Sequence, residues 1–330
     1  MDEQRRSALK MMTGICAAAA LPAAAWAQKT SYPGDTVTMI VPYGAGGSTD
    51  YFARVVATDL GSRHNGRFIV ENRAGAAGNI GTRYVAISPP DGRTLLYSTA
   101  TPFSINPYIY RSLPYDPDGD FVPVALTVQV PLVLVASKEL GVNTLQELID
   151  YLRKNEKTSS YSSYGVGTSS HISNAVFVQK IGAPGVLHVP YKDNRAMPDL
   201  AANRNTFQVD AWTTVAPLVS AGKLVVLGVC ASERMPWIPD VPTIASVIKQ
   251  DYDMSTWHAI FAPKSTPTEI LDFLNREVRI TMEKESIQQS AIKQGFVGYP
   301  HMSREQVAKF VHSDKQRWQD FVKIAGIEPA

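Results

Sequence analysis

An α/β architecture in two lobes is what this sequence predicts. Short β-branched runs alternate with amphipathic stretches of helical length, the pattern of a mostly parallel sheet covered by helices. That alternation occurs in two series, separated by a Pro-, Tyr- and Asp-rich connection from Pro102 to Pro123. With 330 residues, 45% of them apolar and 19% charged, the chain is globular in composition and long enough for about two domains.

The first strand is placed at Thr36 to Val41, followed by a helix from Asp50 to Leu60 whose Phe52, Val55, Val56 and Leu60 share one buried face. A strand at Phe68 to Glu71, a helix near Asn79 to Ile87, the turn Pro89-Pro90-Asp91-Gly92 and a strand at Thr94 to Ser98 continue the cycle. The Pro102 to Pro123 segment is expected to be irregular and to lead out of the first lobe. Beyond it, Val130 to Ala136 is an almost unbroken apolar strand, as expected where both sheet faces are covered. The second series has helices at Thr144 to Lys154, Ser170 to Ile181, Ala196 to Ala202 and Ala216 to Ala221. Its strands are placed at Ser159 to Ser163, Leu187 to Val189, Phe207 to Trp212 and Leu224 to Val229. A return strand, Trp257 to Ala262, precedes long helices at Pro267 to Lys284 and Ser303 to Ile324, which are expected to cover the first lobe. The boundaries that follow are lobe 1 at residues 28–127 plus 253–330 and an inserted lobe 2 at residues 128–252, joined by two crossing segments. The space between two such lobes is the natural ligand cleft.

Residues 1–27 read as an export signal peptide: Arg5, Arg6 and Lys10, an apolar stretch from Ile15 to Ala25, then the cleavage triplet Ala25-Trp26-Ala27. Arg5-Arg6-Ser7-Ala8-Leu9-Lys10 resembles the twin-arginine motif, with Ala8 in place of the usual Phe, and that route is favoured over general secretion. The apolar stretch is too short for a transmembrane anchor, which needs about 20 residues. Ile15 before Cys16 argues against a lipid anchor there. Processing would leave 29 basic and 28 acidic residues, a net charge of +1. No broad basic field therefore exists for nucleic acid or anionic membrane. Cys230 would be the only cysteine left, which excludes an internal disulfide, and its apolar neighbours make it a buried small hydrophobe rather than a reactive thiol.

Two glycine-rich loops between strand and helix carry the chemistry: Pro42-Tyr43-Gly44-Ala45-Gly46-Gly47-Ser48-Thr49-Asp50 and Ala74-Gly75-Ala76-Ala77-Gly78-Asn79-Ile80-Gly81. Glycine lets the backbone approach a ligand, and the first amides of a helix point unpaired N–H groups at an anion. Ser48, Thr49 and Asn79 add hydroxyl and amide partners, so one carboxylate can be held without Arg or Lys. The competing role for Ser48, Thr49 and Asp50 is simple helix capping, and spacing alone leaves the two open. Tyr164-Gly165-Val166-Gly167-Thr168-Ser169-Ser170-His171 repeats the arrangement in the second lobe.

Other chemistries fit poorly. The dinucleotide fingerprint lacks its third glycine, where Thr49 stands, and no Gly-Lys-Ser or Gly-Lys-Thr phosphate loop occurs. No Gly-x-Ser-x-Gly elbow accompanies His171, and the six histidines show no metal-ligand pairing. No catalysis, cofactor or metal is expected, with a secreted hydrolase or oxidoreductase as the alternative reading. Tyr43, Phe103, Tyr164 and Trp212 are candidates for an aromatic pocket.

Val41 to Asp50, Val70-Glu71-Asn72-Arg73, Gly78-Asn79-Ile80-Gly81, Asp91 to Leu96, Leu113-Pro114-Tyr115-Asp116, Gly167 to His171, Val189-Pro190-Tyr191-Lys192 and Asp240-Val241-Pro242-Thr243 follow one another in the order of a known family. From about Tyr32 onward the chain resembles the periplasmic solute receptors of tripartite tricarboxylate transporters, the Bug family. The resemblance implies a type II periplasmic binding-protein fold whose clamshell closes on a small carboxylated ligand. It implies anchoring positions at Tyr43, Gly46, Ser48, Thr49, Asp50, Ala77, Gly78 and Asn79, with Thr168, Ser169, His171 and Asp210 facing them. Implied partners are integral-membrane transporter subunits, or a sensor protein, served by a monomeric receptor. The chain departs from the family at Asp193-Asn194-Arg195 and at Ala202-Asn203-Arg204-Asn205, where small residues and a Gly-Gly pair are usual. Both lie in the inserted lobe, which the resemblance implies sets specificity. Arg195 is either a charge for a second carboxylate or a solvated loop residue.

Overall fold

The computed structural model describes residues 32–64, 66–191, 195–298 and 302–329. The signal peptide reading, Cys16, and the residues Lys192, Asp193, Asn194 and His301 lie outside them. Eleven strands among the described residues form two sheets. Strands β1 (Val37–Val41), β2 (Phe68–Asn72), β3 (Thr94–Thr99), β4 (Phe121–Val130), β10 (Thr256–Pro263) and β11 (Val297–Gly298) make the first sheet, in the order β11-β4-β10-β3-β1-β2. Strands β5 (Leu132–Ser137), β6 (Ser160–Ser163), β7 (Leu187–Pro190), β8 (Phe207–Ala211) and β9 (Leu224–Val229) make the second, in the order β7-β6-β8-β5-β9.

Period-two patterning seats helices on both faces of each sheet. In the first sheet, Met39 and Val41 face Phe52, Val56 and Leu60 of helix Ser48–His64, while Ile40 and Leu96 face Phe103, Trp257 and Phe261. In β5, Leu132 and Leu134 join Leu148, Ile172 and Phe177 on one side, and Val133 and Val135 join Met197, Leu200 and Val215 on the other. Cys230 is a buried free thiol beside them.

Four differences from the sequence-based expectation stand out. The sheets are mixed rather than mostly parallel. Strands β1 to β3 and β6 to β8 pair in parallel, but β5 is antiparallel to β8 and β9, and β10 is antiparallel to β3 and β4. The chain enters β5 directly from the other sheet and returns to β10 through a connection holding only the short helix Ile244–Ile248, and an apolar run buried on both faces carries no mark of direction.

The Pro102 to Pro123 connection is more ordered than expected. It contains a π-helical turn at Thr101–Ile105, a short helix at Asn106–Ile109, and the start of the long strand β4. Pro123 sits in β4 opposite Phe261, beside a register shift between Ile260 and Phe261, where a missing N–H is tolerated. Pro131 then divides the single strand expected at Val130 to Ala136, so the chain leaves the first sheet at Val130 and joins the second at Leu132.

The final helix, Arg304–Ile324, divides its apolar face. Val307 packs into the core of the first sheet, whereas Trp318, Phe321 and Val322 join the core of the second. Helix Thr268–Glu283 does cover the first sheet, through Leu271, Leu274 and Val278. Periodicity reveals the buried stripe but not that two different surfaces meet along it. A further helix, Glu285–Lys293, and the two-residue strand β11 were not anticipated.

Candidate functional site

The glycine loops lie at the carboxyl ends of parallel strands, where open α/β sheets place their ligand crevices. A cleft of about 490 Å³ opens there between the two sheets. Its walls include Tyr43, Ser48, Thr49 and Ala77 from the first side and Thr168, Ser169 and Asp210 from the second.

On the first wall, Ser48 and Thr49 occupy the opening turn of helix Ser48–His64. The first N–H groups of a helix have no partner within it, and the helix dipole adds partial positive charge there. Asp50 faces another way. It accepts from Gly46 N (3.0 Å) and pairs with Arg54 (2.9 Å), and the hydrogen bond from Arg54 is the main reason its ionisation is pushed below the usual carboxylate range. Of the two roles open for this carboxylate, capping is the one its geometry serves. Gly46 has φ +85° and no atom near its missing Cβ, so it serves backbone conformation and does not line the cleft.

The second loop is unusual in its backbone. Gly75, Ala76, Ala77 and Gly78 all have positive φ, at 139°, 48°, 52° and 90°. Left-handed alanine costs about 1–3 kcal/mol and persists only where surroundings impose it. Here a polar brace imposes it: Asn106 Nδ2 donates to Ala77 O (3.1 Å) and to Asn79 Oδ1 (2.7 Å), and the Tyr115 hydroxyl donates to the same Asn79 oxygen (2.8 Å). The Asn79 side chain is thus buried scaffolding rather than cleft lining, while Ala77 reaches the cleft. A Cβ on Gly78 would stand 3.1 Å from Pro102 and 3.2 Å from the Tyr43 hydroxyl, so glycine there admits Tyr43, whose hydroxyl lies 2.6 Å from Thr99 Oγ1. Burial pushes the Tyr43 ionisation up, which keeps the phenol a neutral hydrogen-bonding group.

On the second wall, Thr168 caps helix Ser169–Lys180. Its hydroxyl accepts from His171 N (3.3 Å) and donates to Gly165 O (2.8 Å). Asn174 ties that helix to both neighbouring strands, donating to Ser162 O (3.1 Å) and accepting from Val209 N (2.9 Å). His171 does not line the cleft. Its Nδ1 accepts from Gly167 N (3.1 Å) and its ring stacks on His188 at 3.8 Å; burial pushes both imidazoles down to about 4.

Asp210, next to last in β8, lies inside the cleft. Ala211 N donates to its Oδ1 (2.7 Å) and Gln208 Nε2 to its Oδ2 (2.8 Å). Gln208 is itself oriented by Ser162, whose hydroxyl donates to Gln208 Oε1 (2.5 Å). Burial pushes the Asp210 carboxyl up to about 6 despite these donors. Burial, and then the nearby Asp210, pushes Tyr164 up as well.

Of the four aromatic candidates, Tyr43 and Tyr164 line the cleft. Phe103 instead stacks on Phe261 in the core (3.7 Å), and Trp212 packs with the second sheet's core. Arg195 lies at the start of helix Ala196–Ala201 and is not among the lining residues. The sequence reading missed Thr99, Thr101, Ile109, Tyr110, Val130, Leu132, Thr256 and His258, all of which line the cleft. Thr99 was findable as the last residue of a parallel strand. The others come from the connection read as irregular and from the two crossings between sheets, which carry no motif.

Two α/β sheets facing each other across a cleft, connected by crossing segments, define the class of two-lobed periplasmic binding proteins. Among solved structures, an adipate-bound protein of R. palustris is 33% identical, with a TM-score of 0.81 over 91% of this chain and 100% of that one. MatC from Rhodopseudomonas palustris, with bound malate, is 27% identical, with a TM-score of 0.75 over 88% of this chain and 100% of that one. BugT of Bordetella pertussis is 32% identical over 90% of this chain and 91% of its own length. A protein encoded in the tcbD-tcbE intergenic region of Pseudomonas sp. (strain P51) is 31% identical over 95% and 93%. The family described as "Tripartite tricarboxylate transporter family receptor" matches residues 52–327, and the chain belongs to it.

Proposed function

We propose that this chain captures a small carboxylated compound between its lobes and presents the closed form to integral-membrane transporter subunits. One observation carries the reading. Two helix starts with hydroxyl residues, Ser48-Thr49 and Thr168-Ser169, border one cleft whose described lining contains no Lys or Arg. Such a site holds a carboxylate through amides, hydroxyls and helix dipoles. Adipate and malate in the related structures support carboxylate chemistry. The anchoring set is Tyr43, Ser48, Thr49 and Ala77, with Thr168, Ser169 and Asp210 opposite; Gly46, Asp50, Gly78, Asn79 and His171 hold these in place. The receptor works without turnover and as a monomer.

The lobes in this reading are residues 28–127 plus 253–330 and residues 128–252, preceded by a cleaved twin-arginine-type signal at residues 1–27 that delivers the chain to the periplasm. No helix among the described residues is long and apolar enough to cross a membrane. Ligand touching both walls favours the closed form by its extra contacts.

The test is calorimetric titration of the processed chain with a panel of organic acids, alongside a Ser48→Ala/Ser169→Ala variant. The expected result is saturable binding of at least one carboxylate, weakened about tenfold or more in the variant. Undiminished affinity in the variant, or no carboxylate bound, refutes the reading.

A further inference from the structure

The segment that follows β3 is attached to both lobes. Phe103, in its π-helical turn, packs in the core of the first sheet, whereas Ile105 and Ile109 belong to the core of the second. Its polar side serves the first wall. Asn106 Nδ2 holds Ala77 O and Asn79 Oδ1, and the Tyr115 hydroxyl grips Asn79 Oδ1 and Pro102 O (2.9 Å). Ile109 stands at i+3 from Asn106 in the same short helix, so the two share a face. That face also meets the second wall. A Cβ on Gly167 would stand 2.7 Å from Ile109 Cδ1 and 3.5 Å from Ile109 Cβ, so the loop leading to Thr168 and Ser169 lies directly against this side chain. His171 Nδ1 holds the loop from behind by accepting from Gly167 N. Asn106, Ile109 and Gly167 all border the cleft. One helical turn therefore carries the brace of one anchoring loop and the seat of the other.

Resting on the carboxylate-receptor reading above, we propose that Ile109 is a specificity-determining residue that limits the bulk of the acid's carbon chain close to its anchored carboxylate. Its place follows from its neighbours: Asn106, on the same turn, holds Ala77, and Gly167 leads into Thr168 and Ser169. Its rigidity has the same source. The brace fixes its helix and Gly167 blocks its side chain, so it cannot swing aside for a wider ligand without disturbing a packed contact. A straight chain passes such a wall, whereas a branch beside the carboxylate meets it. Replacing Ile109 by alanine removes Cγ1, Cγ2 and Cδ1 and leaves room for that branch, and each methylene buried there is worth about fourfold in affinity.

The experiment titrates the processed chain by calorimetry with straight-chain acids from butanoate to octanoate and with their 2-methyl and 3-methyl isomers. The readout is the ratio of branched to straight affinity at each size, which a general loss of stability does not move. The wild-type chain is expected to favour the straight acid. In Ile109→Ala the ratio is expected to shift toward a branched isomer about tenfold or more, and in the milder Ile109→Val, one methylene smaller, about fourfold in the same direction. Leu148→Ala removes carbon from the same core away from the cleft, and there the ratio is expected to hold. A wild-type chain that binds a branched isomer as well as the straight acid, an unmoved ratio in the Ile109 variants, or an equal shift in Leu148→Ala overturns the proposal and leaves the carboxylate-receptor reading intact. Should Ile109→Ala fail to fold, the Ile109→Val ratio decides. Binding by no acid at all overturns both.

Discussion

Gly78→Ala tests whether the cleft's geometry is set by close approach rather than by glycine's flexibility alone. The residue has φ +90°, and placing alanine in that region costs about 1–2 kcal/mol. The added Cβ would also lie 3.1 Å from Pro102 and 3.2 Å from the Tyr43 hydroxyl, inside the usual 3.5–4.0 Å contact range. Tyr43 must shift, which weakens its 2.6 Å hydrogen bond with Thr99, worth about 0.5–1.5 kcal/mol. The expected destabilisation is about 1.5–3.5 kcal/mol, with ligand affinity falling because Tyr43 and Ala77 border the cleft together. Gly46→Ala is the control. Gly46 has φ +85° but nothing near the Cβ position, so only the backbone share, about 1–2 kcal/mol, applies. Urea titrations of both variants, compared at equal m-values, isolate the packing contribution, and calorimetry with the tightest organic acid reads the site. If Gly78→Ala is no more destabilising than Gly46→Ala and binds ligand normally, the close-approach argument is wrong.

Arg317→Ala probes the joint between the final helix and the return crossing. Arg317 donates to Asp253 O (2.8 Å) and Ser255 O (2.9 Å) and pairs with Asp314, a buried carboxylate that also accepts from Trp257 Nε1 (2.7 Å). With the Arg317 side chain 25% exposed, its loss should destabilise by about 2–3 kcal/mol in urea unfolding, less than for a fully buried pair; no measurable change would show that the cluster is ornamental. The histidines set the acid limb of stability. His171, His188 and His258 are pushed below 6.5 by burial, so the unfolded chain takes up protons first and stability falls as pH drops from about 6.5 toward 4. Asp210 acts in the opposite sense: pushed up from 3.8 to about 6, it keeps its proton in the folded chain, and its share of stability is lost as pH rises through that interval. Urea midpoints from pH 4 to 7 should therefore fall more steeply with acid in Asp210→Asn than in the wild-type chain, and a shallower fall would contradict the assignment.

Much of the architecture was legible because hydrophobic period and turn chemistry are local. The helix read over Asp50 to Leu60, which extends to Ser48–His64, and the Thr144 cap that accepts from Glu147 N both follow from a few adjacent residues. The misreadings have a common origin. Pro123 looks like a strand breaker until a register shift in its partner strand removes the need for its N–H, and Trp318 looks like any core aromatic until a second core meets it. The same holds at the site. Ser48 and Thr168 were visible as helix starts, whereas the burial of Asn79 beneath Tyr115 and the stacking of His171 on His188 involve partners 36 and 17 positions away.

The order of side chains along this chain by itself determined the lobed α/β plan, the glycine turns that precede helices, and the family to which they correspond, since each is written in neighbouring residues or in their succession. Only the tertiary structure decided strand direction at the crossings, the double allegiance of the last helix, and which polar residues face the cleft and which brace it. Those outcomes depend on contacts between segments far apart in sequence, where burial and the completion of hydrogen bonds choose among arrangements that local pattern leaves equal.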